Sequence, residues 1–233
     1  MAPAAILTRA AVVIPMHDEA TVIAEVVTDL RRRFTHVVCV DDGSSDDSAV
    51  IARGAGAVIV RHPANLGQGA ALETGIRHAL SRRDIEHVVT FDADGQHDAD
   101  DAVAMVELAR TSSVQVVLGS RFLGTDAGMG LSRRMVLRTA VRLTRWTTGL
   151  EVTDAHNGLR VLRRDAAQHL RLHLHGMSHA SEILALIARY DLTYVEHPVT
   201  ISYTDYSRAK GQRGYNALNI AFDLVVDRLR TAG

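Results

Sequence analysis

The stretch Val88-Val89-Thr90-Phe91-Asp92-Ala93-Asp94-Gly95-Gln96-His97 decides the fold, because it joins an apolar segment to a cluster of polar side chains. Its β-branched and aromatic residues predict a buried strand. In an extended chain residues i and i+2 point the same way, so Asp92 and Asp94 can converge at the end of that strand. With a Gln96 oxygen they form a hard ligand set that suits Mg²⁺ or Mn²⁺. A plain strand-to-helix turn, with Asp98 capping the next helix, is the alternative interpretation.

The composition is that of an ordinary globular chain. Its 233 residues suffice for one large domain or two small lobes, and 47% hydrophobic with 23% charged residues is a typical balance. The formal net charge of −1 argues against a dedicated nucleic-acid binder, which would usually be strongly basic. We therefore expect no nucleic-acid partner.

The single cysteine and the hydropathy pattern bear on the compartment. Cys39 lies in a hydrophobic run, so a buried thiol in a reducing compartment is the simplest interpretation. The first residues lack the pattern of a signal peptide, and no run of about 18 apolar residues could span a bilayer. We expect a cytoplasmic protein that associates at most with a membrane face.

Strands and helices alternate along the first half of the chain. The apolar runs predict strands at 10–15, 36–42, 57–61, 88–91 and 114–118. Helices are predicted between them: the first at 21–33, the second after a turn at 43–47 and running to about Gly54, the third opened by a loop at 65–69 and running to about Ser81, and the fourth at about 99–110. Continuous apolar strands alternating with helices indicate a mostly parallel sheet covered on both faces.

Acidic pairs follow three of these predicted strands, namely Asp18 with Glu19, Asp41 with Asp42, and Asp92 with Asp94. Ligands of open α/β sheets bind outside the carboxyl ends of the strands. Charges needed only for solubility would be scattered. The pattern therefore predicts one active site where these acids gather.

Five ordered motifs within residues 10–121 resemble inverting family-2 glycosyltransferases. Pro15–Glu19 is similar to the family's Pro-x-Tyr-Asn-Glu, and Val40–Asp46 to its Asp-Asp-Gly-Ser-x-Asp turn. The other three resemble Asn-x-Gly-Lys-Gly, Asp-x-Asp and Gly-Ser-Arg, at Asn65–Gly69, Asp92–His97 and Gly119–Arg121. Within the family, the set most resembles the dolichyl- or polyprenyl-phosphate mannose (or glucose) synthase branch.

The resemblance implies a fold and a domain organisation. It implies an α/β, GT-A-type nucleotide-sugar-binding fold with a mostly parallel central sheet and helices on both faces. Residues 1–233 would form a single glycosyltransferase domain. Its nucleotide-binding half would span 1–121, and its acceptor-binding half, with a basic amphipathic helix and a C-terminal helix, 122–233.

The resemblance also implies a donor site for a GDP- or UDP-linked sugar. Mg²⁺ or Mn²⁺ would be held by Asp92, Asp94 and Gln96. The nucleotide would be bound by these residues: Pro15, His17, Glu19, Val40, Asp42, Gly67, Gly69, Asp92, Ala93, Asp94, Arg121, Arg208 and Lys210. Arg121, Arg208 and Lys210 would clamp the diphosphate. His17 stands where the family usually has Tyr, and Gln68 where it has Lys, which changes nucleobase stacking and removes a phosphate cation.

A basic segment at 131–150 predicts an amphipathic helix that suits an anionic membrane surface or a lipid phosphate. An ordinary surface helix is the alternative. In the family this region lies along the membrane and contacts the lipid acceptor, so the resemblance implies acceptor binding by Arg133, Arg134 and Arg138. A separate membrane-anchor subunit is a further hypothesis, as is docking by an amphipathic C-terminal helix at 215–229.

Two acids of the second half are candidates for catalysis. Asp154 lies in a segment resembling the family's Asp-x-x-x-Gly-Phe-Arg, and Glu182 lies where members using hydroxyl acceptors carry their base. A helix is expected at 181–190 and a strand at 193–203, with Pro198 marking an edge. The histidines His173, His175 and His179 invite a zinc interpretation, but they lack a His-Glu-x-x-His spacing, and the simpler interpretations are that they line the acceptor opening or are exposed.

These features favour an inverting transfer of a sugar from a nucleotide-diphosphate sugar to polyprenyl phosphate. A lipid phosphate is already anionic and needs no base. The alternative acceptor is a sugar hydroxyl in cell-surface polysaccharide synthesis, which would need Asp154 or Glu182 as base. A noncatalytic nucleotide-binding module is a third alternative. A nucleotidyltransferase or a Rossmann dehydrogenase would need a glycine-rich segment after the first strand, where Pro15–Glu19 stands instead.

Overall fold

The computed structural model describes residues 6–124, 126–127, 131–172 and 179–202. Seven strands form one sheet in the order β3-β2-β1-β4-β7-β5-β8. They are β1 (Leu7–Met16), β2 (Phe34–Asp41), β3 (Val58–Arg61), β4 (His87–Thr90), β5 (Val116–Ser120), β7 (Arg160–Arg163) and β8 (Tyr194–Pro198). Two short strands, β6 (Asp126–Ala127) and β9 (Ile201–Ser202), pair separately.

Helices cover both faces of the sheet, which confirms the predicted α/β class. They are α1 (Ile23–Arg31), α2 (Ser48–Gly54), α3 (Gln68–Ser81), α4 (Ala99–Thr111), α5 (Leu131–Thr148), α6 (Arg164–His169) and α7 (His179–Arg189). One core layer joins α1, α2 and α4 to one face, and a second joins α3, α5, α6 and α7 to the other. Along β1 the side chains alternate between the two layers, with Val12 in the first and Val13 in the second.

Strand β7 is the main feature that the sequence pattern did not predict. It lies between β4 and β5 and runs antiparallel to both, whereas the other neighbouring pairs of the seven-stranded sheet are parallel. Its four residues are too few to show a period. Because β7 is antiparallel, its first residue, Arg160, lies beside Thr90 at the carboxyl end of β4.

Several predicted boundaries shift by a few residues. The helix predicted at 21–33 spans Ile23–Arg31, and the strand predicted at 114–118 is Val116–Ser120. The strand predicted at 193–203 is divided into β8 and β9 around Pro198. Within the described part of the sheet β8 pairs only with β5, so Pro198 does lie at an edge. The helix predicted at 215–229 lies outside the described residues.

Candidate active site

The Asp-Ala-Asp segment leaves the sheet at the carboxyl end of β4, as predicted. The Phe91 amide still donates to the Val13 carbonyl of β1, at 3.0 Å, and the chain then turns through Gly95, whose φ of +71° is in the left-handed region. Gln96 donates to both Asp94 oxygens, from its backbone amide at 3.1 Å and from Nε2 at 2.6 Å. Asp94 and Gln96 are therefore brought together in one turn.

Two carboxylates share this partly enclosed space. Burial and the neighbouring Asp92 charge raise the pKa of Asp94 to about 6. Burial also opposes ionisation of Asp92, but hydrogen bonding to His97 and the charges of His97, His179 and Arg160 outweigh it, so the Asp92 pKa lies below its ordinary value. The repulsion between the two carboxylates therefore raises the pKa of Asp94 and not that of Asp92.

His97 and Gln68 contact Asp92, and sequence reasoning assigned neither a role toward it. His97 Nε2 lies 3.0 Å from Asp92 Oδ2, and its ring meets Phe91 edge-on at 5.4 Å between centroids. Gln68 Nε2 donates to Asp92 Oδ1 at 3.4 Å. The Asp92 side chain is 32% exposed and that of His97 only 3%. The sequence offered one indication of the His97 contact, because His97 directly follows Gln96 in the Asp-Ala-Asp-Gly-Gln motif.

At the end of β2, Asp42 organises the Asn-Leu-Gly loop. Its carboxylate accepts hydrogen bonds from the Leu66 and Gly67 amides at 2.9 and 2.8 Å, and lies 2.7 Å from His62 Nδ1. Burial opposes ionisation of Asp42, but these donors outweigh it and its pKa lies below the ordinary value. The glycine loop is thus fixed at the same edge as Asp92. His62 is a further residue that sequence analysis missed.

The end of β1 completes this edge. Pro15 lies opposite Val40 in the parallel register, so two predicted nucleotide-binding residues are neighbours. Glu19 is buried, its amide donates to Ser48 Oγ at 2.7 Å, and its charge contributes to the raised pKa of Asp94. The structure brings Glu19 into the same acidic region as Asp94, whereas His17 is 41% exposed.

Arg121 and Asp154 form a buried ion pair. Arg121 Nε donates to Asp154 Oδ2 at 2.6 Å, and its backbone amide donates to the same oxygen at 3.2 Å. Nη2 of Arg121 donates to the His156 carbonyl at 3.1 Å, while the His156 amide donates to the other Asp154 oxygen at 3.1 Å. Both oxygens of this predicted catalytic acid are therefore occupied by protein donors.

The segment after Asp154 folds back against Asp92. A Cβ on Gly158 would overlap both carboxylate oxygens of Asp92, so a larger residue here would force that carboxylate to move. Thr90 Oγ1 anchors the segment by donating to the Gly158 carbonyl at 2.6 Å. Two residues on, Arg160 is 2% exposed, and burial lowers its pKa to about 10 against the opposing charges of Asp92 and Asp154. Gly158 and Arg160 were visible in the motif, but their contacts and charge environment were not.

The remaining predicted site residues are more scattered. Glu182 is half-buried in the first turn of α7; on α5, Arg134 is half-buried and Arg138 exposed. The side chain of Arg133 lies outside the described residues, as do Arg208, Lys210, His173 and His175. His179 is buried in α7.

The described ranges contain neither a cluster of the kind that binds zinc nor a membrane-spanning helix. No set of three His, Cys, Asp or Glu side chains in them is arranged to hold a metal ion, so the zinc interpretation gains no support there. The predicted magnesium site instead uses two carboxylates and one amide. Over the same ranges, no helix has the length and apolarity needed to cross a bilayer.

The seven-stranded, mostly parallel sheet with helices on both faces is the architecture of the predicted GT-A-type fold. The family model described as Glycosyl transferase family 2 matches residues 11–171, and the chain belongs to that family. This confirms the predicted family and the prediction that the protein is a glycosyltransferase.

Named relatives and one solved structure add detail. A UDP-N-acetylglucosamine--dolichyl-phosphate N-acetylglucosaminyltransferase of Methanococcus voltae is 28% identical over 92% of this chain and 94% of its own. An undecaprenyl-phosphate 4-deoxy-4-formamido-L-arabinose transferase of Sodalis glossinidius is 29% identical over 94% of this chain and 67% of its own length. Glucosyl-3-phosphoglycerate synthase of Mycobacterium tuberculosis has been solved with Mn²⁺, UDP and phosphoglyceric acid. It is 19% identical to this chain, the match covers 93% of this chain and 77% of the synthase, and the TM-score is 0.70. That likeness concerns the fold alone.

Proposed function

We propose that the protein transfers a sugar, with inversion, from a nucleotide-diphosphate sugar to a polyprenyl phosphate at the cytoplasmic membrane face, with Mg²⁺ or Mn²⁺ as cofactor. The observation that carries the proposal is the paired Asp92 and Asp94 carboxylates at the carboxyl edge, beside the loop that Asp42 fixes. Both similar relatives are named for polyprenyl-phosphate acceptors, which supports the acceptor class.

The residues present fit a divalent metal. Asp94 is destabilised by burial and by Asp92, and a cation between the two carboxylates would remove that repulsion. Mg²⁺ is typically held by one or two carboxylates, with substrate phosphates and water completing its coordination. We propose Asp92, Asp94 and Gln96 as ligands. When bound, the metal would offset the charge of the departing diphosphate.

The nucleotide would lie over the edge formed by β1, β2 and β4. Pro15 and Val40 are neighbours there, and the Asp42 carboxylate holds Gly67 so that the loop before α3 is preformed. His17 and Glu19 would complete the nucleoside pocket, and Gly69 and Ala93 would permit close approach of the diphosphate. Arg208 and Lys210 are proposed as additional phosphate contacts from outside the described residues.

We propose that Asp154 positions Arg121 rather than removing a proton. Both Asp154 oxygens accept hydrogen bonds from protein donors, one from the Arg121 guanidinium and the other from a backbone amide, so they are oriented toward the protein and not toward a substrate hydroxyl. The guanidinium held in this way would contact a phosphate of the substrate. If the acceptor is a sugar hydroxyl, the base falls to Glu182.

The acceptor is proposed to approach along α5, whose Arg134 and Arg138, with Arg133, would meet its phosphate or the anionic lipid surface. A lipid phosphate is ionised at neutral pH, so the transfer needs no general base. Arg121 and the metal would stabilise the leaving diphosphate as the bond to the anomeric carbon breaks.

Radiolabelled UDP- and GDP-sugars with a short polyprenyl phosphate and Mn²⁺ test the proposal, with label followed into the organic phase. Asp94→Ala should abolish this transfer. Asp84→Ala, which removes an exposed acid of the α3–β4 loop, should leave it unchanged. Full metal-dependent transfer by Asp94→Ala would refute the metal assignment.

Glu182→Ala distinguishes the two acceptors. With a phosphate acceptor this variant should retain most of its activity, because no proton has to be removed. A loss of about 100-fold or more in kcat, with KM unchanged, would instead indicate a hydroxyl acceptor and a catalytic base.

A further inference from the structure

A second cleft lies at the opposite edge of the sheet from the acids. His87 begins β4 and pairs with Arg163, which ends the antiparallel β7, so both lie at the far end from Thr90 and Arg160. The Glu86 amide donates to the Arg9 carbonyl at 2.8 Å and brings β1 to the same place. Four strand residues separate the two edges, about 10 Å along β4.

The cleft is large enough for a small ligand. Its volume is about 670 Å³, which is within the range of ordinary ligand pockets. Five of its lining residues are arginines, namely Arg9, Arg83, Arg110, Arg163 and Arg164, whereas its acids are only Glu86 and Asp165. Its lining includes no Phe, Tyr or Trp, so it offers no platform for stacking a nucleobase.

Part of this positive charge is not compensated by carboxylates. Arg9, Arg110 and Arg163 pair with Glu86, Glu107 and Asp165 at 2.6, 2.8 and 2.6 Å. Among the described residues, Arg164 donates only to backbone carbonyls, at 2.7–2.8 Å. Arg83 is exposed and makes no hydrogen bond or ion pair within the described chain. Two guanidinium groups thus face the cleft without an acidic partner.

His87 supplies a second, independent indication of a ligand. His87 is one of the lining residues and is 6% exposed, and its Nε2 has no hydrogen-bond partner among the described residues. Leaving a buried polar atom unpaired costs free energy, so such atoms normally have partners. Burial lowers the pKa of His87, Glu86 opposes this, and Arg110 and Arg163 add to it, so the ring is neutral and has one N–H to donate.

One feature opposes an anion here, since α4 ends at the cleft and its dipole places negative charge there. The hydroxyls of Thr111 and Ser112 offset part of this by donating to the Glu107 and Leu108 carbonyls, at 2.9 and 2.6 Å. The arginines still leave the cleft positively charged. This favours a ligand with several negative charges, whose oxygens can accept hydrogen bonds from more than one guanidinium group.

We propose that this cleft binds a compact phosphate polyanion, such as pyrophosphate or a small phosphorylated metabolite, between Arg83, Arg164 and the ring of His87. The site is separate from the acid-lined edge and does not depend on the function proposed for that edge. On binding, the His87 ring would turn so that a phosphate oxygen accepts from Nε2, which is enclosed in the free protein, while the guanidinium groups contact the other oxygens.

Calorimetric titration of the full chain with pyrophosphate, in EDTA so that no divalent metal recruits it elsewhere, tests the site. Arg83→Glu should weaken binding about tenfold or more, because an attractive charge becomes repulsive. Arg53→Glu is the matched control, an exposed arginine on α2 that also has no partner in the described chain, and should bind like the wild type.

The ring resonance of His87 provides a local readout, since pyrophosphate should shift it in the wild type and not in Arg83→Glu. Asp94→Asn, which alters the acid-lined edge, should bind pyrophosphate like the wild type in the same EDTA buffer. The proposal is overturned by absence of saturable binding, by equal affinity in wild type and Arg83→Glu, by an equal loss in Arg53→Glu, by an altered affinity in Asp94→Asn, or by an unmoved His87 resonance.

Discussion

Asp94 shows how a residue placed for ligand binding can weaken the fold that carries it. Its pKa is raised from 3.8 to about 6 by burial and by Asp92, so the folded state disfavours its ionised form. By linkage the unfavourable contribution develops as pH rises from the unfolded pKa and is complete above the folded one. The penalty is therefore present at neutral pH and absent below about pH 4.

Asp94→Asn should accordingly stabilise the metal-free protein while it abolishes metal-dependent transfer. We expect the free energy of unfolding to rise by about 1–3 kcal/mol at about pH 7.5, with the gain disappearing near pH 4. Urea unfolding in EDTA at both pH values measures this. Asp84→Asn is the control for removal of a charge, and a gain for Asp94→Asn that persisted at low pH would contradict the assignment.

Gly158 controls the position of the Asp92 carboxylate. Gly158→Ala would place a methyl group on both Asp92 oxygens, which must then move. We expect Mn²⁺ affinity to fall about tenfold or more, because ligand placement is lost. Calorimetric titration with Mn²⁺ measures this. Gly54→Ala, where the added Cβ meets nothing within 4 Å, is the matched control and should keep wild-type affinity; wild-type affinity in Gly158→Ala would show that Asp92 does not ligate the metal.

Among the elements, α3 lies unusually close to β1. A Cβ at Gly75 would overlap Val13 Cγ1, and Val13 is fully buried. This close approach places the glycine loop before α3 against the carboxyl edge. The position of α3 against β1 therefore depends on the absence of a side chain at Gly75.

Gly75→Ala should destabilise the protein by about 1–3 kcal/mol through overpacking, despite the better helix propensity of alanine. Adding Val13→Ala should make the double variant more stable than the sum of the two single losses. Denaturant unfolding of the four proteins measures this coupling, and strict additivity would argue against direct contact. At Gly54, in an open part of α2, alanine should instead stabilise by up to about 1 kcal/mol.

At the scale of the whole molecule, acids from three strands act as one site only if a ligand links them. Binding to the folded state should then raise its apparent stability by mass action, about 2.7 kcal/mol at a ligand concentration 100 times Kd. Thermal melts with UDP and with GDP, each with and without Mn²⁺, should show one nucleotide whose effect depends on Mn²⁺. That dependence should vanish in Asp94→Ala, and absence of any nucleotide effect would contradict the proposed donor site.

The sequence by itself determined the alternation of strands and helices, the edge where acids follow β1, β2 and β4, and the family. These properties are local: apolar runs, a two-residue spacing and turn glycines are written in consecutive residues. The acidic cluster could be predicted because parallel strands deliver their carboxyl ends to one edge.

Only the tertiary structure decided how the second half meets that edge. The antiparallel insertion of β7, the Arg121–Asp154 pair and the contact of Gly158 with Asp92 join residues that lie 33 or more positions apart. Such pairings depend on sheet order and packing, which no local period encodes. For the same reason the arginine-lined cleft could not be predicted from the sequence, because its lining residues include members of β1, β4, β7, α4 and α6 that become neighbours only in the folded sheet.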